Sequence, residues 1–554
     1  MAGIFDLFDF LSVLLHALAL IAQSVLVGSV AFLLLATAPL QRCALESASL
    51  MRRATLNIAR VAAWTLCSVV LVATALNAAV LCASLQISLA EVASARFVVT
   101  GALEATAAAV AAMLMPAQRH QRGWRLYALA LPVCVAFAAG LATTHSAARP
   151  TFEAQLLIAT ALHQLGAALW LGGLPCFHSG LRIAAHDPAS RAWLGRRYSS
   201  IAIAGVALIV CGAAVLAVSL IGSWGALYGT PYGAMAATKT LLLALLLLVG
   251  CANFFAVRRF SASTVEVVRV LRFVEVEMAL AIAVLALAAS LTSTPPGVDL
   301  ADDRVTFEEL LERITPAPPR LQTPDPSSLA IAQLQRRLDE DAARDSAPTR
   351  ARAFIPGSGD APPRNAKDIA WSEYNHHWAG LLVLLIGVFA TIERTGRAPW
   401  ARHWPLLFLA LSVFILVRAD PEVWPLGALG PIESLKDPEV VQHRLFAILT
   451  AAFAGFEWRV RNGRSHARVA ALVFPLLMMA GGVLLLTHTH AISDVKDQVL
   501  IEWSHLPLGV LGVTGGAARW LQLRAAAGAA RGAGWVWPVC LILTGLLLLN
   551  YREA

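Results

Sequence analysis

The chain has 554 residues, of which 58% are hydrophobic and only 14% charged, and its mean hydropathy is +0.67. A soluble domain of this size cannot hide that much apolar surface, whereas a helical membrane protein leaves it against lipid. The net charge of +8 comes mainly from Arg in short connectors, without a basic stripe interleaved with aromatics, which fits the positive-inside bias and not nucleic-acid binding.

In chain order, apolar stretches over 10–38, 57–85, 97–116, 124–144, 153–178, 200–222, 234–256 and 273–292 predict eight membrane helices. The first is read as a helix that stays. Asp6 and Asp9 stand where a cleavable signal carries Lys or Arg, and the apolar run is too long for one. A polar insert follows over 293–376, with Pro-rich pieces at 294–296, 316–319 and 361–363 and two amphipathic patterns, Phe307–Ile314 and Leu329–Leu338. Six further spans are predicted over 377–393, 403–418, 441–458, 467–488, 501–522 and 534–550. Basic clusters fall on every second connector, from Arg42/Arg52/Arg53 to Arg519/Arg524/Arg531, and the connectors between them are neutral, acidic or mixed. That alternation predicts both termini on the periplasmic side. The expected fold is therefore all-α: a polytopic membrane protein with about 14 transmembrane helices. It has an eight-helix domain over 1–295, a periplasmic, Pro-rich and partly helical linker over 296–375, and a six-helix, His-rich domain over 376–554.

Ionisable groups inside apolar spans are expensive and point to function. In the first eight spans these are His16, Glu104, His163 and Lys239, with His145 closing the fourth span. His163 and Trp170, seven residues apart, share one helix face. Together these groups suit an outward-facing polar cavity; the competing expectation is that each pairs with a neighbouring helix and fixes the packing register. In the last six spans, His376 and His377, His443, His488 and His490, and His505 place six histidines at four helix ends on one predicted face. Imidazole suits copper, zinc and iron. Glu502, three residues before His505, is placed to orient that ring. Pairs such as His377 with His443, or His488 with His505, equally suit axial ligation of haem b, which makes a membrane electron-transfer protein the alternative. His120, His186, His403 and His466 are read as loop residues on the basic side. The eight cysteines are scattered without a CxxC pair. No GxxxxGK[ST], HExxH or GxSxG motif occurs, so neither an ATP-driven pump nor an enzyme is expected.

The first half resembles the copper resistance D family of bacterial inner-membrane proteins. The residues that carry the likeness are Thr144-His145-Ser146, His163-Gln164-Leu165-Gly166 leading to Trp170-Leu171-Gly172-Gly173, Arg197-Tyr198-Ser199, and Gly222-Ser223-Trp224 leading to Gly229-Thr230-Pro231-Tyr232-Gly233. Lys239 and Asn253 follow at the expected offsets. The second half looks like the extension of longer members, through Trp371–His377, Gln442-His443-Arg444 and Thr487-His488-Thr489-His490. The resemblance implies copper handling at the inner membrane, usually import, with a periplasmic copper-binding protein as donor. It implies ligand roles for His145 and His163 by matched position. The chain lacks the Met-rich periplasmic segments of copper resistance systems, which leaves supply and resistance both open. A copper-delivery assembly factor that docks a partner on 293–376 is a third expectation.

Overall fold

The computed structural model describes residues 8–42, 47–116, 124–149, 153–258, 264–301, 303–325, 329, 366–421, 423–427, 430, 432, 438–463, 469–487, 495–525 and 527–553. Among the described residues every regular element is a helix. The long ones are α1 (Phe8–Phe32), α2 (Ala48–Leu85), α3 (Arg96–Leu114), α4 (Ala130–Leu141), α5 (Glu153–Ala167), α6 (Leu174–Ile183), α7 (Pro188–Leu216), α8 (Pro231–Val257) and α9 (Thr264–Ser293). A short α10 (Phe307–Ile314) precedes α11 (Ala366–Arg394), α12 (Leu406–Arg418), α13 (Pro438–Arg461), α14 (Val473–Thr487), α15 (Val495–Arg524) and α16 (Ala527–Leu549).

Among the described residues, eleven helical stretches are long and apolar enough to cross a membrane, Glu153–His186 counting as one. Helices also form at the other three predicted spans, but for physical reasons they fall outside that set. The fourth offers only the shorter apolar run Tyr127–Leu141. α13 and α15 are long but carry His443, Glu457, Glu502, His505 and Arg519 along their length, and these polar groups lower their hydropathy.

The described residues form two compact units. One comprises 10–227 and 235–301; the other comprises 1–9, 228–234 and 302–554. In the first unit, small residues let backbones meet. A Cβ on Gly172 would stand 1.9 Å from the Ser24 carbonyl oxygen, and one on Gly28 would stand 2.3 Å from that of Ala168. α1 therefore crosses, backbone to backbone, the π-helical turn Ala168–Gly172 that joins α5 to α6. In the second unit α11 and α16 pack through glycine in the same way: a Cβ on Gly545 would lie 2.5 Å from the Leu384 amide nitrogen.

The second unit holds its aromatic core around Trp404, Phe453, Phe474 and Trp537. Into this core the chain inserts charge. Arg461 Nε and Arg519 both donate to Glu457 Oε1, at 2.8 and 3.1 Å, and Arg461 also pairs with Glu393. The guanidinium of Arg461 lies 4.6 Å from the Trp404 ring centroid. Arg461 and Arg519, expected as solvated connector charges, are thus embedded; carboxylates on α11 and α13 compensate them.

The segment after α9 is a strap on the second unit. α10 opens with a capping box, Thr306 and Glu309 bonding reciprocally, and Lys496 reaches Glu309 at 2.9 Å. Further along, Asn550 bonds the Ile314 carbonyl, Arg552 the Thr315 carbonyl, and Arg320 pairs with Glu373. The expected amphipathic helix Phe307–Ile314 is present; of the second pattern, 330–338 lie outside the described residues.

Candidate functional site

Three polar clusters stand in the two units. The first gathers groups from four elements of the first unit. His145 opens the short helix His145–Ala148, and its ring accepts the company of the Leu291 and Thr294 carbonyls at the end of α9. Burial is the main influence on it and holds the imidazole below its ordinary 6.5, against the pull of those carbonyls and of Asp299. His16 on α1 is its electrostatic neighbour. Seven residues on, and so on the same face of α1, is the buried Gln23. A Cβ on Gly140 of α4 would stand 2.4 Å from Gln23 Nε2 and 3.2 Å from Glu104 Oε1, so amide and carboxyl meet over the bare face of that glycine. Glu104 is only 8% exposed. Gln23 Nε2 finds no hydrogen-bond partner there, so His16 and His145 form one neighbourhood and Glu104 with Gln23 another, about two turns along α1; sequence reasoning passed over Gln23 because a single Gln in a span is unremarkable.

The second cluster lies around α5, α7, α8 and α9. His163 Nδ1 donates to the Ile209 carbonyl at 3.0 Å, and Lys239 Nζ lies 3.4 Å from Nε2. Both ring nitrogens are therefore engaged, with Nε2 the acceptor toward the ammonium. Trp170, on the π-helical turn, bonds at both ends. Its carbonyl accepts from the Tyr198 hydroxyl, and its indole stands in hydrogen-bonding range of Glu277. Asn253 Nδ2 donates to Glu277 Oε1. Glu277, 2% exposed, was missed in the sequence, although the rule that selects Glu104 applies equally to a carboxyl in the apolar run of α9. At another place on α9, Glu275 pairs with His178 at 3.5 Å and with Arg272.

The third cluster lies in the second unit. His376 stacks on Tyr551 with ring centroids 3.7 Å apart, and His505 stands edge-on to His376 at 6.1 Å. His443 is within electrostatic range of His376 and is bonded to Asp420 at 2.7 Å. Glu553 closes the group, accepting from the Tyr551 hydroxyl and from Ser372. Three of the predicted histidines, His376, His443 and His505, are thus gathered from α11, α13 and α15. His377 faces elsewhere: its Nε2 bonds the Tyr551 carbonyl at 2.8 Å and its Nδ1 accepts from the Arg320 amide at 2.6 Å. Glu502 accepts from Gln498 one turn before it, and His505 Nδ1 donates to the Ile501 carbonyl. Each of these two side chains turns back along α15. His488 and His490 lie outside the described residues. Tyr551 and Glu553 were missed, since two polar residues at a chain end carry no periodicity or spacing signal. Among the described residues, no three His, Cys, Asp or Glu side chains stand where they could hold a metal ion together.

Comparison with known proteins adds one assignment. Residues 193–291, which span most of α7 through α9, match the family model for copper resistance protein D. Lys239, Asn253, Glu277 and Tyr198 all fall inside the matched stretch. Neither the curated proteins nor the solved structures yield a match.

Proposed function

From a membrane protein that carries a copper resistance protein D domain, we propose a copper carrier of the bacterial inner membrane. It takes the ion from the periplasmic side and passes it inward. The observation that carries this reading is the electrostatic neighbourhood of His16 and His145, brought together from separate elements, with Gln23 and the buried Glu104 about two turns along α1 from His16. Two imidazoles from separate elements offer nitrogen donors to an arriving ion, and the Glu104 carboxyl of α3 offers compensating charge farther along its path. A neutral imidazole is the form that ligates. His163 plays a different part from a resting ligand: Lys239 occupies its Nε2, so the ring becomes available only when that ammonium moves. His376, His443 and His505, with Glu553 beside them, are grouped in the second unit without converging on one ion, so this reading gives them no resting metal site. A periplasmic copper-binding protein is the natural donor, because free copper is scarce where proteins compete for it.

The test is copper accumulation in cells that carry the chain with His16→Ala and His145→Ala, alone and together, at matched membrane abundance. Each single variant lowers accumulation several-fold and the pair lowers it to the level of cells without the protein. Unchanged accumulation in the double variant would sink the entrance reading. A strong visible haem band in the purified protein, lost on His505→Ala, would replace copper carriage with electron transfer.

A further inference from the structure

The pocket around Glu277 holds a carboxyl with neutral neighbours. Glu277 is 2% exposed. Its contacts are an amide, Asn253 Nδ2, and the indole of Trp170. Among the described residues no Lys, Arg or His forms an ion pair with it. The titratable groups that act electrostatically here are Tyr198, which faces Glu277 from α7, and Cys176 of α6 beyond it; neither supplies positive charge. An ionised carboxylate buried without a counter-charge is far more costly than a neutral acid. A second observation points the same way. Asn253 Oδ1 is buried with no hydrogen-bond donor, although the other end of the same amide bonds Glu277 Oε1. A carboxylate has no hydrogen to offer that oxygen; a carboxylic acid does. Gly250 lets the indole close against the carboxyl: a Cβ there would stand 3.3 Å from Trp170 Cζ2 and 3.8 Å from Glu277 Oε1. Trp170 itself sits on the π-helical turn Ala168–Gly172, an element that recurs at functional sites.

We propose that Glu277 is a proton-binding site of the copper resistance protein D domain, holding a proton at rest and releasing it as a cation passes. The balance is simple. One O–H bond breaks, the proton leaves to water, and the single positive charge of an arriving monovalent ion such as Cu(I) replaces it, so the pocket keeps its net charge. Nothing is oxidised or reduced. This rests on the copper-carrier reading for the identity of the cation, but not for the existence of the proton.

The test is infrared difference spectroscopy of the purified full chain, together with proton release measured in proteoliposomes supplied with Cu(I). In wild type the carbonyl stretch of a protonated carboxylic acid is present at neutral pH, Glu277→Gln removes it, and Asn253→Leu shifts it by removing the amide partner. Proton release on copper addition falls to background in Glu277→Gln. If Glu277→Gln folds poorly, the Asn253→Leu shift still decides the resting proton. An acid band that neither substitution alters overturns the proposal, as does undiminished proton release in Glu277→Gln. A wild type that moves no copper while its band responds to both substitutions would sink the carrier reading and leave the proton site standing.

Discussion

At the start of α10 a single carboxylate fastens the strap. Glu309 accepts from the Thr306 amide first, then from Lys496 and the Thr306 hydroxyl, and these bonds hold its carboxyl well below the ordinary 4.5, at about 2. A depressed folded value means that the ionised form belongs to the folded strap. Its contribution is therefore complete above the ordinary value and is lost as pH falls from 4.5 toward about 2. Amide exchange over 306–314 should accelerate across that acid window in wild type and should be fast and nearly flat there in Glu309→Gln. Backbone contact makes another position sharply intolerant. Gly172→Ala would drive a methyl group to 1.9 Å from the Ser24 carbonyl oxygen, and neither partner is a flexible side-chain tip. We expect a loss on the order of 3 kcal/mol, seen as a lower melting temperature in detergent, whereas alanine at Gly528, where a Cβ meets nothing within 4 Å, should leave melting unchanged.

Among the elements, α11, α13 and α15 bear polar groups at two levels. Their N-terminal halves gather His376, His443 and His505, while Glu393, Glu457 and Arg519 lie farther along the same three helices. Buried ion pairs contribute little net stability when intact, yet removing one partner strands the other. Arg519→Met should therefore cost about 3–5 kcal/mol, because Glu457 loses a donor in an aromatic core. Replacing Glu457 and Arg519 together by Met leaves the Arg461–Glu393 pair balanced and should cost much less. A double-mutant cycle by thermal unfolding checks this; a loss in the double variant equal to the sum of the two single losses would show that the charges act independently. These helices also show how far sequence reasoning reaches. His376, His443 and His505 are legible one by one because an imidazole at an apolar boundary stands out. The convergence of His376 and His505 on Tyr551 and Glu553 depends on how α11 and α16 pack, which no local pattern states. Arg461 and Arg519 mislead for the opposite reason: positive charge near a span end looks like a connector until the facing carboxylates are known.

For the whole molecule, the all-helical membrane character follows directly from apolar run length, and a helix forms at each predicted span. His16, Glu104 and His145 were legible as three separate anomalies. Gln23, which lies with Glu104 over Gly140, and Glu277, which pairs with Asn253, needed the packing of α1, α4, α8 and α9 to become visible.

The short stretch 228–234 belongs to the same compact unit as 302–554, although its flanks on both sides belong to the other. Within that unit Trp503 donates to the Tyr228 carbonyl and the Val305 amide to that of Gly229. A gene cut after codon 301 would not yield two self-sufficient halves. The upstream product would display seven residues deprived of their partners, and the downstream product would lack the backbone acceptors that Trp503 and Val305 use. Co-production of both pieces should restore what neither achieves alone, so the hydrophobic cores are separable in space but interleaved in inheritance.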